Sequence, residues 1–289
     1  MVELLLDAGA LLGESPVWHP GEARLYWVDI EARTIHRTDP ATRTDEVMML
    51  GEQIGCIAPR VRGGLVAALE NGFVLIDHWG STPRPFGPDI LADKPGQRFN
   101  DGRVDAAGRL WVGSLTNDKA NPVATLYRLD PDGSLATILG GLTTSNGAAF
   151  SPDGRIFYHA DTPTHAIRAY DVDRAAGTLA NGRVFHQFEY GKGRPDGAAV
   201  DAEGCYWSAL WDGWRVVRLS PAGELLQTVD LPVQRPTMIA FGGDELCTAF
   251  VTSAGKNLTD EDRKAQPLAG GVFTFRVDVP GSPQPFFGG

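Results

Sequence analysis

A turn followed by an apolar, aromatic strand recurs six times in this chain, in HPGEARLYWVDI, VRGGLVAAL, DAAGRLWVGSL, SPDGRIFYHAD, DAEGCYWSALW and FGGDELCTAF. The first strand residues after these turns are Leu25, Leu65, Leu110, Ile156, Tyr206 and Leu246, separated by 40, 45, 46, 50 and 40 residues. A second hairpin follows each of them, in TIHRTDPATRT, FVLIDHWGST, TLYRLDPDGS, AIRAYDVDRAAGT, RVVRLSPAGE and VFTFRVDVPG. Four short strands per unit at this period are the signature of propeller blades, because one blade cannot bury its own faces and must stack on its neighbours. The expected fold is an all-β, six-bladed β-propeller with four antiparallel strands per blade, occupying residues 1–289 as a single domain. Only 43 residues follow Leu246 and 24 precede Leu25, so the first and last units must share material. The segment from Glu3 to Ala8 is expected to complete the last blade and close the ring.

The acidic turns DPDG, SPDG and DAEG resemble calcium loops only superficially. An EF-hand loop needs a Glu six residues after its Gly and two flanking helices, whereas a hairpin turn with a left-handed Gly explains the pattern without a metal. One short helix is expected near Thr259 to Gln266, with Thr259 as the cap and Asp262 three residues on. The formal charge of −10 opposes binding to nucleic acid or an anionic membrane surface. Cys56, Cys205 and Cys247 have neither disulfide nor zinc-site spacing. With no basic leader and no run of about 18 apolar residues, the expectation is a soluble, cytoplasmic protein, a monomer or weak homo-oligomer.

The repeat supplies a register that locates candidate ligands. About ten residues before each strand marker, where the innermost strand starts at the mouth of the central channel, stand Glu14, Asn100, Asn146 and Asp196, at offsets of 11, 10, 10 and 10. The other two units offer Ile54-Gly55 and Arg235-Pro236-Thr237, with no comparable oxygen ligand. Equivalent positions in a ring of blades lie at similar height and radius, so the four side chains should converge. Converging carboxylates repel unless a cation or a shared proton compensates. An all-oxygen set suits one divalent metal ion, calcium (Ca²⁺) or magnesium (Mg²⁺) first, with Mn²⁺, Zn²⁺ or Fe²⁺ compatible. The alternative is that Asn and Asp before Gly simply cap turns. The six histidines show no metal-ligand pairing, and His159, near Asp161, is the one retained as a candidate. Ser114 and Ser145 lack a nucleophile elbow. Trp27, Trp111 and Trp207 fit blade packing, whereas Trp211 and Trp214 are candidates for lining a pocket.

GESP at 13–16, RFNDG at 98–102, SNG at 145–147 and PDG at 195–197, in this order, resemble the SMP-30/gluconolactonase/regucalcin family, and LAGGVF at 268–273 resembles the final-blade strand of its bacterial sugar lactonases. The resemblance implies a metal-dependent hydrolase that opens the lactones of sugar acids (aldonolactones such as xylono-, arabinono- or gluconolactone). By the same resemblance Glu14, Asn146 and Asp196 hold the metal, and Arg98 and Asn100 contact substrate. Where some animal members carry a Glu, GSLTND places Asp118, expected to touch the sugar. Asp196 is the expected general base, because a carboxylate beside both metal and water can take the water's proton. Two alternatives stand beside this reading: an organophosphate hydrolase, which calls for an apolar pocket, and a non-enzymatic calcium-binding propeller.

Overall fold

The computed structural model describes every residue from Met1 to Gly289. Its strands form six four-stranded antiparallel sheets, the blades of a propeller. The innermost strands are Gly13–His19, Cys56–Pro59, Gln97–Val104, Ser145–Phe150, Arg194–Val200 and Pro236–Gly242. Five blades are continuous in sequence. In the sixth, the order from the outside is Glu3–Leu6, Val272–Arg276, Thr248–Ser253 and Pro236–Gly242, so the N-terminal strand closes the ring. That strand stops at Leu6, two residues short of the expected end, and Ala10 then donates its N–H to Gly270 O at 2.9 Å. The sixth marker, Leu246, falls in a 3₁₀ turn, Asp244–Leu246, and its strand begins at Thr248.

Burial grades outward within each blade. All seven residues of Pro236–Gly242 are buried, whereas the outer strand Leu225–Asp230 is exposed along most of its length. The cores lie between blades: Trp207, Ile239, Phe241 and Phe273 join the fifth blade to the sixth, and Tyr158, Ile167, Tyr206 and Val217 join the fourth to the fifth. Each fully buried side chain of this size contributes roughly 2–3 kcal/mol, so the ring is held by its apolar seams.

The acidic turns are spent on themselves. Asp201 Oδ1 accepts the N–H groups of Glu203 and Cys205, and its Oδ2 accepts Trp207 Nε1 at 2.9 Å and Arg218 Nε at 2.8 Å. Asp105 does the same for Ala107, Arg109 and Trp111. One carboxylate thus fixes a hairpin turn and orients the tryptophan that packs the next blade. The helix, Asp260–Ala265, starts at the expected cap, with Thr259 and Asp262 satisfying each other's backbone N–H groups.

The C-terminal tail plays a part that no sequence pattern announces. Phe287 is fully buried and exchanges backbone hydrogen bonds with Pro59 and Val61, and Arg60 Nε donates to Gly289 O. Gln284 and Pro285 meet the ends of the inner strands at Val17, Pro59 and Val104, closing the channel at the end away from Asn100.

Candidate active site

Four inner strands carry the residues singled out by register, and each is bulged there. The pairing shifts between Glu14 and Val17, between Phe99 and Gly102, between Asn146 and Ala149, and between Pro195 and Ala198. A bulge bends its strand and re-aims a side chain, which turns these positions towards the axis. The bulge after Asn146 needs glycine: Gly147 has φ of 62°, and a Cβ there would lie 2.4 Å from Tyr206 Oη, which donates to Gly147 O. Gly55 matters for a different reason. A Cβ on it would sit 2.5 Å from the Phe99 carbonyl, so a larger residue would push the second blade away from Asn100.

Glu14, Arg98, Asn100, Asn146 and Asp196 all line one cavity of about 440 Å³. All five are buried, with Glu14 7% and Asp196 4% exposed. A relay of hydrogen bonds fixes the amides. Arg98 Nη1 donates to Asn100 Oδ1 at 3.0 Å. Asn100 Nδ2 donates to Ser145 O and to Asn146 Oδ1, at 2.9 and 2.8 Å, and Asn146 Nδ2 donates to Thr162 Oγ1, which donates to Pro195 O. Both N–H groups of Asn100 are therefore committed to protein oxygens, and one of them holds the Asn146 carbonyl in place. Glu14 accepts only the N–H of Ser15, at 3.4 Å, and no side chain donates to Asp196.

Asp118 is not part of this wall. It is exposed, and its carboxylate accepts the N–H groups of Ala120 and Asn121 and the Asn121 amide, capping its own turn. Those backbone donors hold its carboxyl below the usual range. The residues on either side, Asn117 and Lys119, line the cavity instead. Trp211 lines it too, while Trp214 is 41% exposed outside it. Sequence reasoning missed Lys119, Arg194 and the Glu31–Lys256 ion pair in the same wall. It also missed Asp101, although RFNDG contains it.

Electrostatically the floor is strained. Burial, and then the charge of Asp196, push the Glu14 carboxyl well up; burial, and then Asp101, do the same to Asp196. Asp101 is pushed up to about 6 by burial. Its Oδ2 accepts the Ala148 N–H, and its Oδ1 is buried without a partner. Below it, Arg103 spans the channel, donating to Ala148 O and Ala198 O. Two buried carboxylates and a fixed amide oxygen, none of them neutralised by an ion pair, are oxygen donors of the kind that a hard divalent cation takes.

His159 lies behind the site, 1% exposed, with Nε2 2.7 Å from Ser145 Oγ. Burial lowers its pKa from 6.5 to about 4. The folded state thus binds this proton more weakly than the unfolded chain does. The stability His159 contributes is complete above about pH 6.5 and is lost as the pH falls towards 4, by about 3 kcal/mol at most. Urea unfolding of wild type and His159→Gln should therefore give free energies that converge between pH 7 and 4.5. A constant difference would mean that the imidazole does not titrate in this window.

Residues 12–255 match the family described as SMP-30/Gluconolactonase/LRE-like region. The chain is 42% identical to 6-deoxy-6-sulfogluconolactonase of Pseudomonas putida over 97% of its own length and 96% of that protein's. It is 37% identical to regucalcin of Danio rerio, over 94% and 92% of the two chains. Among solved structures, the calcium-binding protein regucalcin of Agrobacterium tumefaciens superposes with a TM-score of 0.94 at 27% identity, covering 98% of this chain and 96% of that one. With this coverage, and with the motif residues gathered around one axial cavity, the chain belongs to the SMP-30/gluconolactonase/LRE-like family.

Proposed function

We propose that this protein is a metal-dependent hydrolase that opens sugar-acid lactones to the free aldonic acids. Membership of a family of lactone hydrolases carries the reaction class. The metal-dependent reading rests on one observation: Glu14 and Asp196 meet at the floor of a polar cavity, buried beside the Asn146 amide, with no side-chain cation paired to either. Leu12, Leu115 and Trp211 are the main apolar lining, against Asn100, Asn117, Gln53, Thr144 and several charged groups. A polyhydroxylated ring suits that surface, and an organophosphate does not.

Glu14, Asn146 and Asp196 would hold one divalent cation, calcium by the character of the oxygen donors. Bound there, the cation supplies Lewis-acid polarisation of the lactone carbonyl and charge to offset the oxyanion. The remaining work falls to the chain. Arg98 and the second lone pair of Asn100 Oδ1 orient the ring hydroxyls, fixing the lactone before reaction. Water attacks the carbonyl carbon as Asp196 takes its proton. The ring C–O bond then breaks and the ring oxygen takes that proton, so lactone and water become one hydroxy acid.

The test is a panel of xylono-, arabinono-, glucono- and galactonolactone followed by proton release, with and without a chelator. Hydrolysis that stops on chelation and returns with Ca²⁺ is the expected result. Undiminished hydrolysis after verified metal removal would overturn the metal dependence, and no acid from any lactone would overturn the activity.

A further inference from the structure

We infer that the mouth of this cavity is an anion subsite built on Lys119 and Arg194, and that the lactone it takes carries a strong-acid anion, a sulfonate or a phosphate, at the end remote from its carbonyl. The inference rests on the lactonase reading above and narrows its substrate class.

The chain as a whole carries a formal charge of −10, yet cations crowd one side of the cavity. Arg194 and Arg235 both bind the single carboxylate of Asp212, through Nη2 at 2.5 Å and Nε at 2.8 Å. Arg235 lies 5.2 Å from the centre of the Trp211 ring, and Lys119 Nζ lies 5.8 Å from the same ring. Arg194 and Arg235 thus share one carboxylate, and Arg235 and Lys119 share one indole. The other charged pair on the wall, Lys256 with Glu31, is neutral as a unit. Lys119 forms no ion pair with a carboxylate; burial lowers its pKa, the charge of Asp196 opposes that shift, and the charges of Lys256, Arg98 and Arg194 add to it.

Like charges gathered at a partly desolvated surface repel. An anion arriving between them relieves that repulsion, whereas the hydroxyls of a neutral lactone do not. The carboxylate of the product cannot be the anion in question, because it forms at the carbonyl, beside Glu14 and Asp196 on the floor. Nor is Lys119 on a loose arm. Its N–H donates to Thr116 O at 3.0 Å, its φ is 51°, and the Asp118 carboxylate caps the following turn. Asp118 therefore acts on substrate only by presenting its neighbour. A tetrahedral anion has enough oxygens to take donors from the Lys119 ammonium and the Arg194 guanidinium together.

The experiment compares kcat/KM for gluconolactone, its 6-sulfonate and its 6-phosphate, in wild type, Lys119→Gln and Lys119→Arg. Wild type should prefer at least one anionic lactone by about tenfold or more at low ionic strength, and the preference should shrink as salt is added. Lys119→Gln should lose most of that preference and Lys119→Arg should keep it. The faster of the two anionic lactones identifies the anion. If the neutral lactone is opened as fast as both anionic ones, or if the preference is unchanged in Lys119→Gln, the anion subsite is overturned while the lactonase reading stands. If no lactone yields acid, the lactonase reading fails and the inference with it.

Discussion

Asp196→Asn is expected to lower kcat by about 10²- to 10⁴-fold at saturating divalent cation, the range contributed by a general base. The amide keeps the shape of the side chain and a donor oxygen, but it cannot accept the water's proton. The fold should survive, and there is a physical reason to expect the cation-free variant to be at least as stable as wild type. Asp196 is 4% exposed and its carboxyl is raised by burial and by Asp101, so its charge is costly in the empty site. Steady-state rates and thermal melts on the same preparations check both statements. Retention of more than about a tenth of the wild-type rate would remove Asp196 from the base role.

Calorimetric titration of Ca²⁺ into cation-free protein should separate three residues that sequence register treats alike. Glu14→Gln and Asn146→Ala each remove a proposed donor and should weaken binding by more than about 100-fold. Asn100→Ala removes the N–H that holds Asn146 Oδ1, at 2.8 Å, and should cost about tenfold, at the lower end of what supporting hydrogen bonds to a ligand contribute. Binding to wild type should also raise the melting temperature in proportion to the logarithm of free cation, because the folded state alone carries the site. A loss for Asn100→Ala as large as for Asn146→Ala would make Asn100 a donor itself, and no loss at all would leave it to substrate alone. Titration of Glu14→Gln with unchanged affinity would place the cation elsewhere.

The contrast between Asp118 and Lys119 measures how far a resemblance of motifs extends. GSLTND places an acid where the resemblance implied a contact with the sugar, but the Asp118 carboxylate accepts the N–H groups of Ala120 and Asn121 instead. The lysine next to it then faces the cavity. Asp101 is a similar case. It follows Asn100 directly, but strand alternation would send the two to opposite sides. Only the bulge between Phe99 and Gly102 brings both towards the axis.

What the sequence determined is what depends on local pattern. Turn residues and period-two strands recur every 40 to 50 residues, and that recurrence sets the number of blades. It also sets the register that brings Glu14, Asn100, Asn146 and Asp196 into one cavity. The closure of the ring by the N-terminal strand followed from counting residues at the two ends. What the tertiary structure alone decided is non-local: the tail from Gln284 that shuts the far end of the channel, the two arginines that share Asp212, and the placing of Lys119, not Asp118, in the cavity wall. These depend on the path of loops between blades and on which side chains find partners across a seam, and no period in the chain encodes either.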